Sequence, residues 1–212
     1  MTSIPRRNGT LGPTLASLEA QSRPPDEIRL YVGLGCHVAQ LDVTCVTVED
    51  LGPITKLSAV VDPAVPDDAI IVTVDDDIIY EPRWLETLVD AAEKMPDCAV
   101  GRAGWNATDF LTRPLSSLSH YIWAAGDTCD VVEGWAGVAY RKRFFDDDIM
   151  RPPPEFQLVD DVWISGYLFK RGIARRLITP RMADERAGNL PGLHNRVDFL
   201  KLNYRAAILA FS

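Results

Sequence analysis

Residues 70–82 read Ile-Ile-Val-Thr-Val-Asp-Asp-Asp-Ile-Ile-Tyr-Glu-Pro, a mainly apolar run that stops at three consecutive carboxylates. An apolar run without polar alternation is the mark of a strand covered on both faces. Pro82 then opens a helical pattern to residue 94, with Trp84, Leu85, Leu88, Val89 and Ala92 at helical spacing. A buried strand followed at once by a helix calls for a layered α/β domain, in which ligands gather at the carboxyl ends of the strands. Asp75, Asp76 and Asp77 occupy such an end.

The rest of the first hundred residues continues the alternation. Residues 10–21 read as a helix with Pro13 in its first turn and Leu11, Leu15 and Leu18 on one face. Strands are expected over 27–32, 43–48 and 69–74, with a short helix over 54–61. The expected core is a mostly parallel, Rossmann-like sheet flanked by helices. The second half is less regular. Strand pieces over 131–140 are broken by Gly134 and Gly137, residues 160–170 form a helix opened by two aspartates, 174–178 form a short strand, and 195–211 form a closing amphipathic helix. The Pro-rich stretch 151–155 and the segment 187–192 do not divide the chain, so residues 1–212 are expected to form a single domain. The apolar ending 206–211 either packs onto the sheet or touches a partner.

Bulk properties narrow the partners. The 212 residues are 47% apolar and 25% charged, an ordinary globular balance. The 22 basic and 30 acidic residues leave a net charge of −8, which lacks the global field that attracts nucleic-acid phosphates. One diphosphate remains within reach of local cations or a metal. Cys36, Cys45, Cys98 and Cys129 form no CxxC pair and no zinc-ligand spacing. They are expected to be reduced. No run approaches the ~18 apolar residues of a membrane span, and the start lacks the apolar core of a secretion signal. The expected location is the cytoplasm.

Three adjacent aspartates repel one another unless a cation or donors offset them. Alternation along an extended segment turns Asp75 and Asp77 one way and Asp76 the other, so Asp75 and Asp77 are placed to share one divalent ion. Hard oxygen ligands suit Mn²⁺ or Mg²⁺, which keep positions open for substrate phosphates. The competing reading is a solvated turn with capping aspartates. The unbroken strand before the triplet, the lack of glycine within it and the helix from Pro82 favour metal binding.

The strand-then-DxD arrangement resembles the GT-A glycosyltransferases, especially the small bacterial and viral enzymes related to family 2. The opening TSIPRR, then TLASLEAQSRPPDEIRLYV, is similar to their first strand end, first helix and second strand. LGPITKL, residues 51–57, looks like their GPxTK segment; EGWAGVAYRKRFF resembles the acceptor-side loop and strand; VDDVWISGYLFKRG resembles the acidic helix that follows. The matching segments span residues 2–178. Their usual first strand has several apolar residues before TSIP, where this sequence has Met1.

The resemblance implies a GT-A fold with a nucleotide-sugar-binding half (1–100) and an acceptor-binding half (101–212). It also implies metal-dependent transfer of a sugar from a nucleotide-diphosphate donor, UDP-sugar favoured, to a saccharide acceptor, as in polysaccharide biosynthesis. Asp75 and Asp77 would hold the metal, with Asp76 beside the donor. Arg6 and Lys56 are candidate donor contacts, or solvated surface cations. Asp160 and Asp161 begin a helix, where the macrodipole favours anions. In the resembling enzymes an acidic residue at this place accepts the acceptor hydroxyl's proton, and the sequence does not choose between the two. His194 is either a further metal ligand, as the resemblance implies, or polar surface. His37 and His120 are expected to be structural.

Trp135, between Gly134 and Gly137, suits stacking on a pyranose or packing in the core. Trp105, Trp123 and Trp163 suit the core or a groove wall. Glu133 is a candidate hydroxyl acceptor or a solvent-facing strand residue. A DxDxT phosphohydrolase fits poorly, because position 79 is Ile where that motif has Thr. A nucleotidyltransferase and an inactive nucleotide-sugar-binding relic remain as alternatives. The triplet lacks EF-hand spacing, which argues against calcium sensing.

Overall fold

The computed structural model describes residues 1–36, 43–107, 112, 124, 127–178 and 198–211. In chain order the strands are β1 (Arg29–Gly33), β2 (Thr44–Val48), β3 (Ile70–Thr73), β4 (Cys98–Gly101), β5 (Gly104–Trp105), β6 (Val131–Val132), β7 (Val138–Arg141) and β8 (Ala174–Leu177). The α-helices among these residues are α1 (Asn8–Glu19), α2 (Trp84–Lys94), α3 (Asp160–Lys170) and α4 (Phe199–Phe211). The segment Gly52–Val61 is a 3₁₀ helix rather than an α-helix, and it buries Ile54, Leu57 and Val60 together with Lys56.

The fold is mixed α/β. β1 pairs with β2 in parallel, and a four-stranded sheet runs in the order β3-β7-β4-β8. The expectation of a mostly parallel sheet is corrected here. β7 lies antiparallel between β3 and β4, and the parallel pairing in that sheet is β4 with β8. The sequence hides this because β4 and β5 are too short to give a strand pattern, and Gly134 and Gly137 break 131–140 into pieces whose pairing direction is not readable. The place of the short first strand is taken by Thr2, which bridges in parallel to Tyr31, with Met1 O accepting from Tyr31 N–H at 2.9 Å.

β3 is covered on both faces, as its apolar run required. Ile70 and Val72 face one core cluster and Ile71 another. Its residues are only partly buried until Thr73, because the strand is at the edge of its sheet. The first cluster joins α1 through Leu11, Leu15 and Leu18 to α2 through Trp84, Leu85 and Leu88. α1 begins at Asn8, so Pro13 falls inside it and removes one helical hydrogen bond. The second cluster packs the 3₁₀ helix against β7 and α3, and the third packs α3 and α4 around Trp105 and Val131. Full burial of Trp84 makes it a pillar of the first cluster, worth about 3–5 kcal/mol against alanine.

Candidate functional site

After β3 the backbone does not stay extended. Residues 76 and 77 form a turn, so the alternation expected of the triplet fails. Asp76 and Asp77 converge on one guanidinium: Arg7 Nη1 lies 2.6 Å from Asp76 Oδ1 and 3.0 Å from Asp77 Oδ2. Ser3 Oγ donates to the other Asp76 oxygen at 2.5 Å. Both carboxylates are buried, and burial holds the proton affinity of Asp76 above the usual carboxylate range despite Ser3 and Arg7. Asp75 turns away from this pair and keeps its side chain 35% exposed, the open member of the three.

Arg7 was missed by sequence reasoning, which picked its neighbour. Arg6 is exposed, whereas Arg7 turns inward on the 3₁₀ turn Pro5–Arg7. Two adjacent arginines in a turn carry no signal of which one points inward.

Asp75 instead meets Lys56. The 3₁₀ helix buries this lysine to 7% exposure, and its Nζ lies 3.1 Å from Asp75 Oδ1 and 3.0 Å from Asp160 Oδ2. Asp161 Oδ1 is 3.9 Å away. Burial works to strip the proton from Lys56, but Asp160, Asp75 and Asp161 outweigh it and raise its pKa well above the ordinary lysine value. Lys56 therefore ties the loop after β3 to the first turn of α3. Asp160 Oδ2 and Asp161 Oδ1 are buried without an aligned hydrogen bond. Burial first, and then Asp160, pushes the Asp161 carboxyl well above its usual range.

The turn between β6 and β7 closes the site. Glu133 is half-buried rather than solvent-facing, accepts from Trp105 Nε1–H, and is pushed by burial to a pKa of about 7. A Cβ on Gly134 would stand 2.7 Å from Lys56 Nζ and 2.8 Å from Asp161 Oδ1, so bare backbone lies directly over that pair. Tyr80 Oη accepts from Asp75 N–H at 3.1 Å and donates to Trp135 O at 3.2 Å. Trp84 Nε1–H donates to Ala136 O at 2.8 Å. Gly137 has φ +88°, and a Cβ there would stand 2.1 Å from the Trp84 ring. The Trp135 indole is half-buried. Trp105 is fully buried, and Trp163 packs on Phe156 at 5.2 Å.

The structure thus brings together Asp75, Asp76, Asp77, Lys56, Glu133, Gly134, Asp160 and Asp161, with Arg7 as the added member. His194, His37, His120 and Trp123 lie outside the described residues. Among the described residues, no three His, Cys, Asp or Glu side chains are grouped as a metal-binding set. The donor chemistry suits a hard divalent ion nonetheless. Six carboxylates face two cations, Lys56 and Arg7, two of their buried oxygens lack aligned donors, and Asp75 is open. Mg²⁺-type ions commonly take one or two carboxylates and complete their shell with water and substrate phosphates. Comparison with protein-family models and with curated proteins finds no match.

Proposed function

We propose that this chain is a glycosyltransferase of the GT-A type, moving a sugar from a nucleotide-diphosphate donor, UDP-linked by preference, to a saccharide acceptor. Mn²⁺ or Mg²⁺ is the cofactor of this reading. The observation that supports it best is the single ammonium of Lys56 between Asp75 and Asp160. Residues expected on the donor side and on the acceptor side share one counter-ion.

In this reading Asp75, the open member of the triplet, would hold the metal, and Asp77 would join it only by leaving Arg7. A divalent ion there offsets the charge that develops on the departing diphosphate. The acceptor oxygen attacks the anomeric carbon, the bond from that carbon to the diphosphate breaks, and the hydroxyl proton passes to the Asp160–Asp161 pair. Bare backbone at Gly134 makes room for Lys56 and Asp161 under the turn, and Glu133 and Trp135 flank it as the residues proposed to meet the acceptor sugar.

Arg7 already neutralises Asp76 and Asp77 in the free protein, which favours a second reading, a nucleotide-sugar-binding relic. Thermal shift with UDP, with and without Mn²⁺, tests binding. Mutual enhancement is expected, about 2.7 kcal/mol at a hundredfold excess over Kd. Indifference to both ligands would sink the binding reading. Turnover of a nucleotide sugar by wild type, lost in Asp75→Asn and Asp77→Ala, separates the enzyme from the relic.

A further inference from the structure

We propose that the outward face of α4, with the carboxyl end of α3, docks on an anionic lipid bilayer. The proposal is independent of the transferase reading. Segments 162–178 and 199–211 contain Lys170, Arg171, Arg175, Arg176, Lys201 and Arg205 and no acidic residue, in a chain of net charge −8. Arg171 pairs with Asp146 at 2.7 Å and Arg176 with Asp127 at 3.3 Å. Lys170, Lys201 and Arg205 are exposed and have no acidic partner among the described residues.

The apolar side chains around these cations face outward as well. α4 turns Asn203, Ala206, Ala207 and Ala210 inward, where Ala210 meets Gly166 of α3. On the opposite side Lys201, Arg205 and Leu209 recur at four-residue spacing as one stripe, and Leu209 is 50% exposed. Tyr204, Ile208 and Phe211 flank the stripe, half-buried. The Phe211 ring lies 5.4 Å from that of Phe169, itself 49% exposed, and the Arg175 guanidinium covers both rings. A helix whose outer face mixes unpaired cations with exposed apolar side chains is of the kind that lies on an interface.

Charge decides what that neighbour is. A second copy docked face to face would set lysine and arginine against lysine and arginine, which is repulsive. An anionic bilayer supplies both complements: negative headgroups for Lys170, Lys201 and Arg205, and an acyl boundary for Leu209, Phe169 and Phe211. No helix among the described residues is long and apolar enough to cross a membrane, and surface attachment requires none. Asp160 and Asp161 lie at the opposite end of α3, on the order of 16 Å away by helical rise.

Co-sedimentation of the full chain with phosphatidylcholine vesicles, with and without phosphatidylglycerol, tests this. Binding is expected with phosphatidylglycerol only, and to weaken as salt rises. The pair Lys201→Glu and Arg205→Glu should lose at least about fivefold per residue. Leu209→Glu should also release the protein. Both changes are on exposed positions, and circular dichroism checks that each variant folds. Wild type that stays in the supernatant with every vesicle would overturn the proposal. So would binding unchanged in both variants, or a lipid-free dimer that Leu209→Glu breaks in sedimentation velocity.

Discussion

The Tyr80 hydroxyl and the Trp135 carbonyl are 3.2 Å apart, and the same hydroxyl accepts the backbone N–H of Asp75. One buried phenol therefore couples the acidic loop to the turn that roofs the site. Tyr80→Phe removes both bonds and leaves a main-chain donor and acceptor without partners. A stability loss of about 1–3 kcal/mol is expected in urea denaturation. Under the proposed transferase reading, donor turnover should fall with it, since the Asp75 backbone loses its anchor.

Gly137→Ala should be far more damaging than an ordinary surface glycine change. The backbone there is left-handed, and the added methyl would press on the Trp84 indole. Backbone strain and overpacking together are expected to cost about 2–5 kcal/mol. Gly172→Ala provides the comparison: φ is +72° there too, but nothing stands within 4 Å of the added carbon. The difference between the two in thermal denaturation reads the contact with Trp84 together with the extended ψ of 136° at Gly137.

Lys56→Met keeps the length of the side chain and deletes its charge. Asp75, Asp160 and Asp161 then face one another around an apolar thioether. Breaking a buried ion pair by removing one partner costs about 3–5 kcal/mol. The loss is expected at neutral pH and should shrink in acid, as the raised Asp161 carboxyl takes a proton. Denaturation curves at two pH values read both effects.

Glu133 predicts a slope of the opposite sign from that of most carboxylates. Its folded pKa of about 7 lies above the unfolded value, so the native state holds the proton more tightly. Stability from this group is present below the unfolded pKa and is lost as pH rises from about 4.5 to about 7. The change is on the order of 3 kcal/mol. Glu133→Gln should flatten that segment of the stability–pH curve and leave the variant more stable than wild type at pH values above it.

Much of this was legible because apolar spacing and turn residues are local signals. α3 occupies the segment its aspartates and Gly172 delimit, and β1, β2 and β3 lie within one or two residues of their expected bounds. The acidic triplet, Lys56, Glu133 and the Asp160–Asp161 pair were named from sequence, and they meet in space. The antiparallel insertion of β7 was not legible, since strand pairing depends on contacts remote in sequence. Nor was the grouping within the triplet. Side-chain alternation presumes an extended chain, and the turn at Asp76 and Asp77 lets Arg7 gather both carboxylates.

Trp84 stands at once in the first core cluster and, through its indole N–H to Ala136, against the roof of the site. The site consequently shares the stability of the core that carries it. Its shape is carried by the packing of α2, so Lys56 and the carboxylates around it are expected to separate at the temperature where the domain melts, in one cooperative event. Improving that packing would widen the working temperature of the site without a change to any residue that meets a ligand.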